Sequence, residues 1–160
     1  MKTLRIMFGT AVMMVFIALT ALPAFTENKP ADNMDIVREK IRADKKLLVS
    51  EEMELTEKEA NAFWPVYESY QKDLQKVNDR TLALIKEYAD HYKTMTDAVA
   101  KKLLDDMLKI EADRQNLRKS YLPNFQKVLP AKKVARYYQI ENKIEAVVKY
   151  ELAKAIPLVK

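Results

Sequence analysis

The chain has 160 residues, 49% of them hydrophobic and 32% charged, the balance expected of one soluble helical domain. It contains no cysteine, and its single glycine, Gly9, lies close to the start. These counts exclude a disulfide framework, a cysteine nucleophile, a glycine-rich phosphate loop and a dinucleotide fingerprint. The single histidine, His91, excludes a metal site built from two or three histidines of one chain.

Residues 1–24 have the layout of a secretory signal peptide. Lys2 and Arg5 precede an apolar run of about sixteen residues, shorter than the ~20 that span a bilayer. We therefore expect cleavage after Ala24, with Ala21 and Thr26 as alternative positions, and export to the periplasm. An uncleaved inner-membrane anchor is the alternative to cleavage. Cleavage leaves 26 basic and 23 acidic side chains, a net charge of +3. This modest charge and the predicted export both argue against a nucleic-acid partner.

After the leader, the sequence predicts a flexible lead-in over residues 25–32 and one all-helical domain over residues 33–160. Apolar residues recur at intervals of three and four in four segments, and no segment alternates as a strand would. The first helix is predicted to begin after a cap at Asp32 or Asn33 and to end near Val49. Its charged face contains Arg38, Arg42, Lys45 and Lys46.

A second helix is predicted from Glu57 to about Lys93. Thr56 can accept a backbone N–H at its start, and Glu59 can reach back to complete a capping box. Pro65 predicts a kink rather than a break, because the 3.5-residue apolar period continues past it. This seam consists of Ala60, Phe63, Tyr67, Tyr70, Leu74, Val77, Thr81, Leu84, Tyr88 and His91.

Two more helices complete the prediction. The third begins after a cap at Thr96, carries Leu103, Met107 and Ile110 on its seam, and has a second kink at Pro123. The fourth begins at Pro130 and stops before Pro157. The expected fold is all-α: a long, kinked antiparallel helical hairpin with shorter flanking helices, whose exposed seam favours a dimer or a binding groove.

Two helix starts form a weak internal repeat. The segments 55–64 and 129–138 each place a leucine before the helix and aromatic residues eight and nine positions after it, although two ordinary helix starts would also look alike. The first segment opens with the motif Leu55-Thr56-Glu57-Lys58-Glu59, and the second opens with Leu129-Pro130-Ala131-Lys132-Lys133.

These starts, the leader and the small, basic helical chain resemble the Spy/CpxP family of periplasmic stress proteins. That family is marked by a Leu-Thr-x-x-Gln motif that is often present twice. Here Glu59 stands in place of the glutamine, and the second copy keeps only its leucine, Leu129. The resemblance implies a cradle-shaped helical dimer that binds unfolding client proteins without ATP, or that damps an envelope-stress sensor.

Glu87 and His91 are the only candidate metal ligands that the sequence places together. They lie four residues apart on one helix face, and some relatives of the resembled family bind zinc. Two ligands are too few for a tight site, so we expect no metal and no cofactor. No serine has a histidine base apart from His91, and the carboxylate clusters are interpreted as solvated charge. We therefore expect no catalytic residues and no enzymatic activity.

The aromatic stripe of the second helix supplies the candidate client-binding residues. Packing into the core is the simpler interpretation, because aromatic side chains bury large areas. In the functional interpretation one edge stays exposed and contacts apolar client segments, with Trp64 beside the strict seam. The basic face either attracts acidic clients or only solubilises its helix. The candidates are Phe63, Trp64, Tyr67 and Tyr70, with Arg38, Arg42, Lys45 and Lys46.

The sequence thus predicts an exported, ATP-independent, chaperone-like envelope stress protein. Its partners would be partly unfolded proteins, and it would form a homodimer. The first alternative is an accessory or inhibitory module that docks on a membrane stress sensor. The second is a metal-responsive periplasmic protein that uses His91.

Overall fold

The computed structural model describes the backbone of residues 30–159 and the side chains of residues 40–159. The predicted signal peptide and most of the predicted lead-in lie outside the described residues. Within them the fold is all-α, as predicted, and no residue lies in a strand. None of the described helices is both long and apolar enough to span a membrane. The four helices are α1 (Pro30–Met53), α2 (Glu57–His91), α3 (Asp97–Val128) and α4 (Ala131–Ala155).

Helices α2 and α3 form the predicted antiparallel hairpin of long helices. Residues 92–96 connect them. Near the connection Glu87 of α2 contacts Lys102 of α3, and far from it Ser69 contacts Tyr121, so the two helices are antiparallel. Both helices continue through their prolines, Pro65 and Pro123, so neither proline ends a helix. The predicted kinks and the predicted dimer stay predictions.

The start of α2 has the capping box that the sequence predicts. The Thr56 hydroxyl accepts the Glu59 backbone N–H at 3.4 Å, and Glu59 Oε2 accepts the Thr56 backbone N–H at 2.8 Å. Two backbone donors of the first turn are thereby satisfied. Thr96 caps α3 in the predicted way, since its hydroxyl accepts the Val99 N–H at 3.3 Å.

Contacts divide the chain into two compact units, and the hairpin unit comprises residues 55–134 and the tail from Ile156. Its core follows the predicted seam, because a 3.5-residue period keeps the same face turned toward a neighbouring helix. Met107, which was predicted for this seam, is instead 42% exposed. The buried side chains are Phe63, Tyr67, Tyr70, Leu74 and Val77 of α2 and Leu103, Ile110 and Phe125 of α3.

The second unit comprises the part of the chain up to Glu54 and the segment Ala135–Ala155. The helix α1 begins at Pro30, before the predicted cap at Asp32 or Asn33, so the last residues of the predicted lead-in are helical. Its last two turns carry buried residues, as do the first turns of this segment of α4. The buried apolar residues are Leu48, Val49 and Met53 of α1 and Tyr137 and Ile140 of α4.

The end of α1 shows how the chain terminates a helix without glycine. Glu54 adopts a left-handed backbone conformation with φ 48°, a position that favours glycine because a Cβ atom crowds the backbone there. No glycine occurs after Gly9. The Glu54 carboxylate accepts a hydrogen bond from Arg136 at 2.8 Å, so the left-handed residue also forms an ion pair with α4.

Candidate functional site

The four predicted client-binding aromatics of α2 lie in one ring cluster. Phe63 and Tyr67 are fully buried, and Tyr70 is 2% exposed. The Trp64 ring stands edge-on to those of Phe63 and Tyr67, with centroid distances of 5.1 and 5.2 Å. Phe125 of α3 packs against Phe63 at 5.8 Å. Three of the four rings therefore form core, and only the half-buried Trp64 reaches the surface.

A polar cluster on the hairpin fixes α3 against α2 beside these rings. The Tyr121 hydroxyl donates to Asp73 at 2.6 Å and lies 2.9 Å from the Ser69 hydroxyl. Hydrogen bonds from Lys76 and Tyr121 lower the pKa of Asp73. Burial and the hydrogen bond to Asp73 raise the pKa of Tyr121. The phenol therefore stays protonated at neutral pH, and its hydrogen bond to Asp73 joins α3 to α2.

The residues of the predicted basic face of α1 differ in burial. Lys45 forms an ion pair with Glu141 of α4 at 2.9 Å, and the two side chains are only 15% and 5% exposed. Arg42 and Lys46 are exposed. The side chain of Arg38 lies outside the described residues. The structure thus uses Lys45 inside its unit and leaves Arg42 and Lys46 on the surface.

The end of α1 carries an exposed leucine that follows one of the exposed cations in the sequence. Leu47 is 59% exposed and follows Lys46 directly, while Arg42 and Lys46 are four residues apart on one helix face. We call Arg42, Lys46 and Leu47 the α1 patch. Leu47 was not among the predicted site residues, because it only widens the apolar stripe of α1 and sequence alone does not say which edge of a stripe is covered.

The two helix starts of the internal repeat meet in the hairpin unit. Lys133 Nζ donates to Glu59 Oε2 at 2.5 Å, so the fifth residues of the two motif copies form an ion pair. The Lys133 hydrogen bond, followed by those from Thr56, lowers the pKa of Glu59 to about 2. Among the other motif residues, Leu55 is half-buried, Leu129 is buried, and the Pro130 carbonyl accepts the backbone N–H groups of Lys133 and Val134.

Sequence reasoning named these motif residues without pairing them. The available signal was that the family position for glutamine carries an acid, Glu59, in one copy and a base, Lys133, in the other. Opposite charges permit an ion pair, but only the fold brings these two positions together. The ion pair thus joins the starts of α2 and α4.

Glu87, one of the two weak candidates for a metal ligand, forms an ion pair with Lys102. Both carboxylate oxygens of Glu87 accept hydrogen bonds from Lys102, at 2.9 and 3.0 Å. His91 is half-buried at the end of α2, where its carbonyl accepts the Thr94 N–H. Among the described side chains, no group of three histidine, aspartate or glutamate residues could hold a metal ion.

Three exposed apolar side chains of α3 were missed by the site prediction. Leu104, Met107 and Leu108 are 52%, 42% and 54% exposed. Their signal was present in the sequence as a second set of three- and four-residue spacings beside the buried seam of α3. They form an exposed apolar surface flanked by charged residues.

In comparisons with known proteins, no family model matches the chain, and neither curated proteins nor solved structures give a significant match. The resemblance to the Spy/CpxP family therefore depends on the Leu55-Thr56-x-x-Glu59 start, its partial second copy and the leader. What that resemblance implies about activity belongs to a proposal.

Proposed function

We propose that this protein is an exported, non-enzymatic envelope stress protein that binds partly unfolded client proteins without ATP. The observation that carries the proposal is the α1 patch, in which a leucine and two cations, Leu47, Arg42 and Lys46, are exposed in the last turns of one helix. The leader-like start supports export to the periplasm, and the Leu-Thr-x-x-Glu start supports a stress role by resemblance. No observation among the described residues specifically favours either alternative, the module that docks on a membrane sensor or the metal-responsive protein.

Client capture by this patch has two physical components. The cations attract acidic clients over about 8 Å at physiological ionic strength. Leu47 then covers apolar client surface, and full burial of a leucine contributes about 1.5–3 kcal/mol. Such contacts are weak and reversible, so a client that buries its own apolar residues during folding leaves without an energy source.

The buried aromatics have a different part in this proposal. Phe63, Tyr67 and Tyr70 support the hairpin and contact no client. Trp64 keeps surface exposure and is the only tryptophan of the chain, so fluorescence excited at a wavelength selective for tryptophan reports the state of the hairpin surface.

The proposal is tested by light scattering from two dissimilar aggregating proteins, with the chain from Phe25 onward added at near-stoichiometric ratio. We expect both proteins to be protected and the protection to weaken as salt screens the cations. Protection of neither substrate contradicts the chaperone function and favours a docking module for one sensor.

Variants of the α1 patch test whether this surface suppresses the aggregation of clients. We expect Leu47→Gln combined with Lys46→Glu to raise the concentration for half-protection by about tenfold, because both the apolar and the charge contact are lost. Leu158→Gln is the matched control, since Leu158 is 89% exposed but lies outside the patch. Equal effects of the control and the patch variant would show that the patch is not the client surface.

A further inference from the structure

The segment that follows α4 returns to the hairpin unit and contacts α2 near the end of that helix. Residues 156–159 are not helical, and contacts group them with the hairpin unit, whereas Ala135–Ala155 belongs to the other unit. The Tyr88 hydroxyl donates a hydrogen bond to the Pro157 carbonyl oxygen at 2.7 Å. We call residues 156–159 the tail segment.

The contact is made at a pair of tyrosine rings. The rings of Tyr88 and Tyr92 have a centroid distance of 5.8 Å and an angle of 47° between their planes, and both residues are half-buried. Domains that bind proline-containing peptides present aromatic side chains to them, because an extended proline segment is already ordered before it binds. We call Tyr88 and Tyr92 the tip pair.

The hydrogen bond recognises the main chain rather than a particular side chain. Every peptide carries a carbonyl oxygen, and Pro157 has no N–H, so its main chain offers only an acceptor. Proline also fixes φ near about −65°, which reduces the conformational entropy that a peptide loses on binding. A proline-containing peptide from another molecule therefore meets the same partners as the tail segment.

The tail segment is held weakly enough to be exchanged. Leu158 and Val159 are 89% and 55% exposed, so much of the apolar surface of the segment stays in water. Ile156 is half-buried. One hydrogen bond and one half-buried isoleucine together favour the bound tail over the released tail by about tenfold.

We propose that the tip pair is a binding site for an extended, apolar, proline-containing peptide segment of another protein, and that the tail segment occupies this site when no such peptide is bound. The ligand places a main-chain carbonyl at the Tyr88 hydroxyl and apolar side chains beside the two rings. The tail segment acts as an internal competitor. The site shares no residue with the α1 patch, so the proposal does not rest on the chaperone function.

The tethering of the tail segment sets the expected affinity for a free peptide. A short tether gives an effective concentration on the order of 1 mM. A tail that is bound tenfold over released at this concentration corresponds to a dissociation constant on the order of 100 μM for the same peptide added in solution. The competing tail raises the apparent value about tenfold in the wild-type chain.

Fluorescence anisotropy measures this binding with a defined probe. The probe is a fluorescein-labelled peptide with the sequence Ala-Lys-Ala-Ile-Pro-Leu-Val-Lys, which is that of residues 153–160. Ile156→Ser combined with Pro157→Gly in the full chain weakens the competitor, because the apolar contact and the fixed φ are both lost. We call this double variant the open-tail variant and expect it to bind the probe about five- to tenfold more tightly than the wild type.

Leu158→Ser is the matched control, because it changes a tail side chain that already lies in water. It should bind the probe with the wild-type affinity. Circular dichroism of each variant verifies that the helices stay folded. A probe that remains free in ~1 mM of the open-tail variant overturns the proposed site. Equal affinities of the open-tail variant and the wild type overturn the competition by the tail segment.

Removal of one hydroxyl assigns the binding to the tip pair. In the open-tail variant, Tyr88→Phe should weaken probe binding about fivefold, because the ring stays and the donor is lost. In the wild-type chain the same change should alter the affinity by less than about twofold, since it weakens the probe and the competing tail together. Tyr150→Phe, at an exposed tyrosine of α4, should change neither. An unchanged affinity of the open-tail variant with Tyr88→Phe overturns the assignment.

A second probe tests the chemistry of the ligand. Replacement of the proline of the probe by glycine should weaken binding about threefold or more, because the peptide is no longer held extended. Equal affinities of the two probes overturn the preference for proline. Failure of the chaperone function would appear in light scattering with probe binding intact, so the two proposals fail separately.

Discussion

At the scale of single residues, Lys45 illustrates how a charged residue of a helix face becomes part of the interior. Its sequence neighbours Arg42 and Lys46 are exposed, but Lys45 faces Glu141, which is 5% exposed, at 2.9 Å. Taking both charges out of water is costly, and their attraction offsets that cost only while both are present. Lys45 therefore belongs to the stability of its unit and is not a client contact.

We expect Lys45→Met to lower the free energy of unfolding by about 3 kcal/mol, because Glu141 stays buried without the ammonium that faces it. Adding Glu141→Leu should recover most of the loss, since two apolar groups can replace a buried ion pair. Lys46→Met, one residue away and exposed, is the control and should change the stability by less than about 0.5 kcal/mol. Urea unfolding followed by circular dichroism measures all four proteins; similar losses for Lys45→Met and Lys46→Met would contradict the buried pair.

At the scale of helices, the start of α2 combines local capping with a long-range ion pair. Thr56 and Glu59 form a capping box that their spacing predicts, and Lys133, at the start of α4, adds a contact from 74 residues away. The capping box is readable from four consecutive residues. The ion pair depends on where the chain brings its second helix start.

This arrangement makes stability acid-sensitive in a defined range. The pKa of Glu59 falls from its ordinary 4.5 to about 2 in the folded chain, so the ionised form is favoured by folding. Its contribution is present above the unfolded pKa and is lost as the pH falls from about 5 toward 2. We expect Glu59→Gln to reduce the fall of the melting temperature with pH over this range, because the variant keeps the helix cap but has no carboxylate to titrate.

Glu57→Gln is the matched control, because Glu57 is an exposed acid in the same helical turn. The control should retain the acid sensitivity of the wild type. Melting curves recorded between pH 7 and pH 2 compare the three proteins. A Glu59→Gln variant with an undiminished loss of melting temperature would show that the Lys133 pair does not stabilise the fold.

At the scale of the whole molecule, the two units differ in the length of chain that separates their partners. In the hairpin unit, the turn over residues 92–96 joins the two long helices directly. In the other unit, the ion pair of Lys45 with Glu141 spans 96 residues. Closing a longer loop costs more conformational entropy, and contacts of long sequence separation form late in folding.

We therefore expect the hairpin to form in the folding transition state before α1 and α4 pair. Ile110→Val and Ile140→Val remove one methylene group from buried positions in the two units, at a cost of about 1 kcal/mol each. Stopped-flow fluorescence of Trp64 should give a φ-value above about 0.5 for Ile110 and below about 0.3 for Ile140. The reverse order would contradict folding from the hairpin.

The sequence by itself determined the all-α fold, the four helices, the caps at Thr56 and Thr96 and the buried seam of α2. These features follow from signals within a few helical turns: periodicity of apolar residues, a capping residue, and a proline that the apolar period crosses. Five of the seam residues are buried, because a continuous 3.5-residue stripe has one face to turn toward a neighbour.

Only the tertiary structure decided which charged and apolar side chains stay at the surface. It buried Lys45, paired Glu59 with Lys133, left Met107 and Leu47 exposed, and limited the surface aromatics of the predicted cluster to Trp64. A helix repeats the same period along all of its faces, and the face that is covered depends on a partner helix tens of residues away. That choice is made by the packing of the whole chain, so no local pattern contains it.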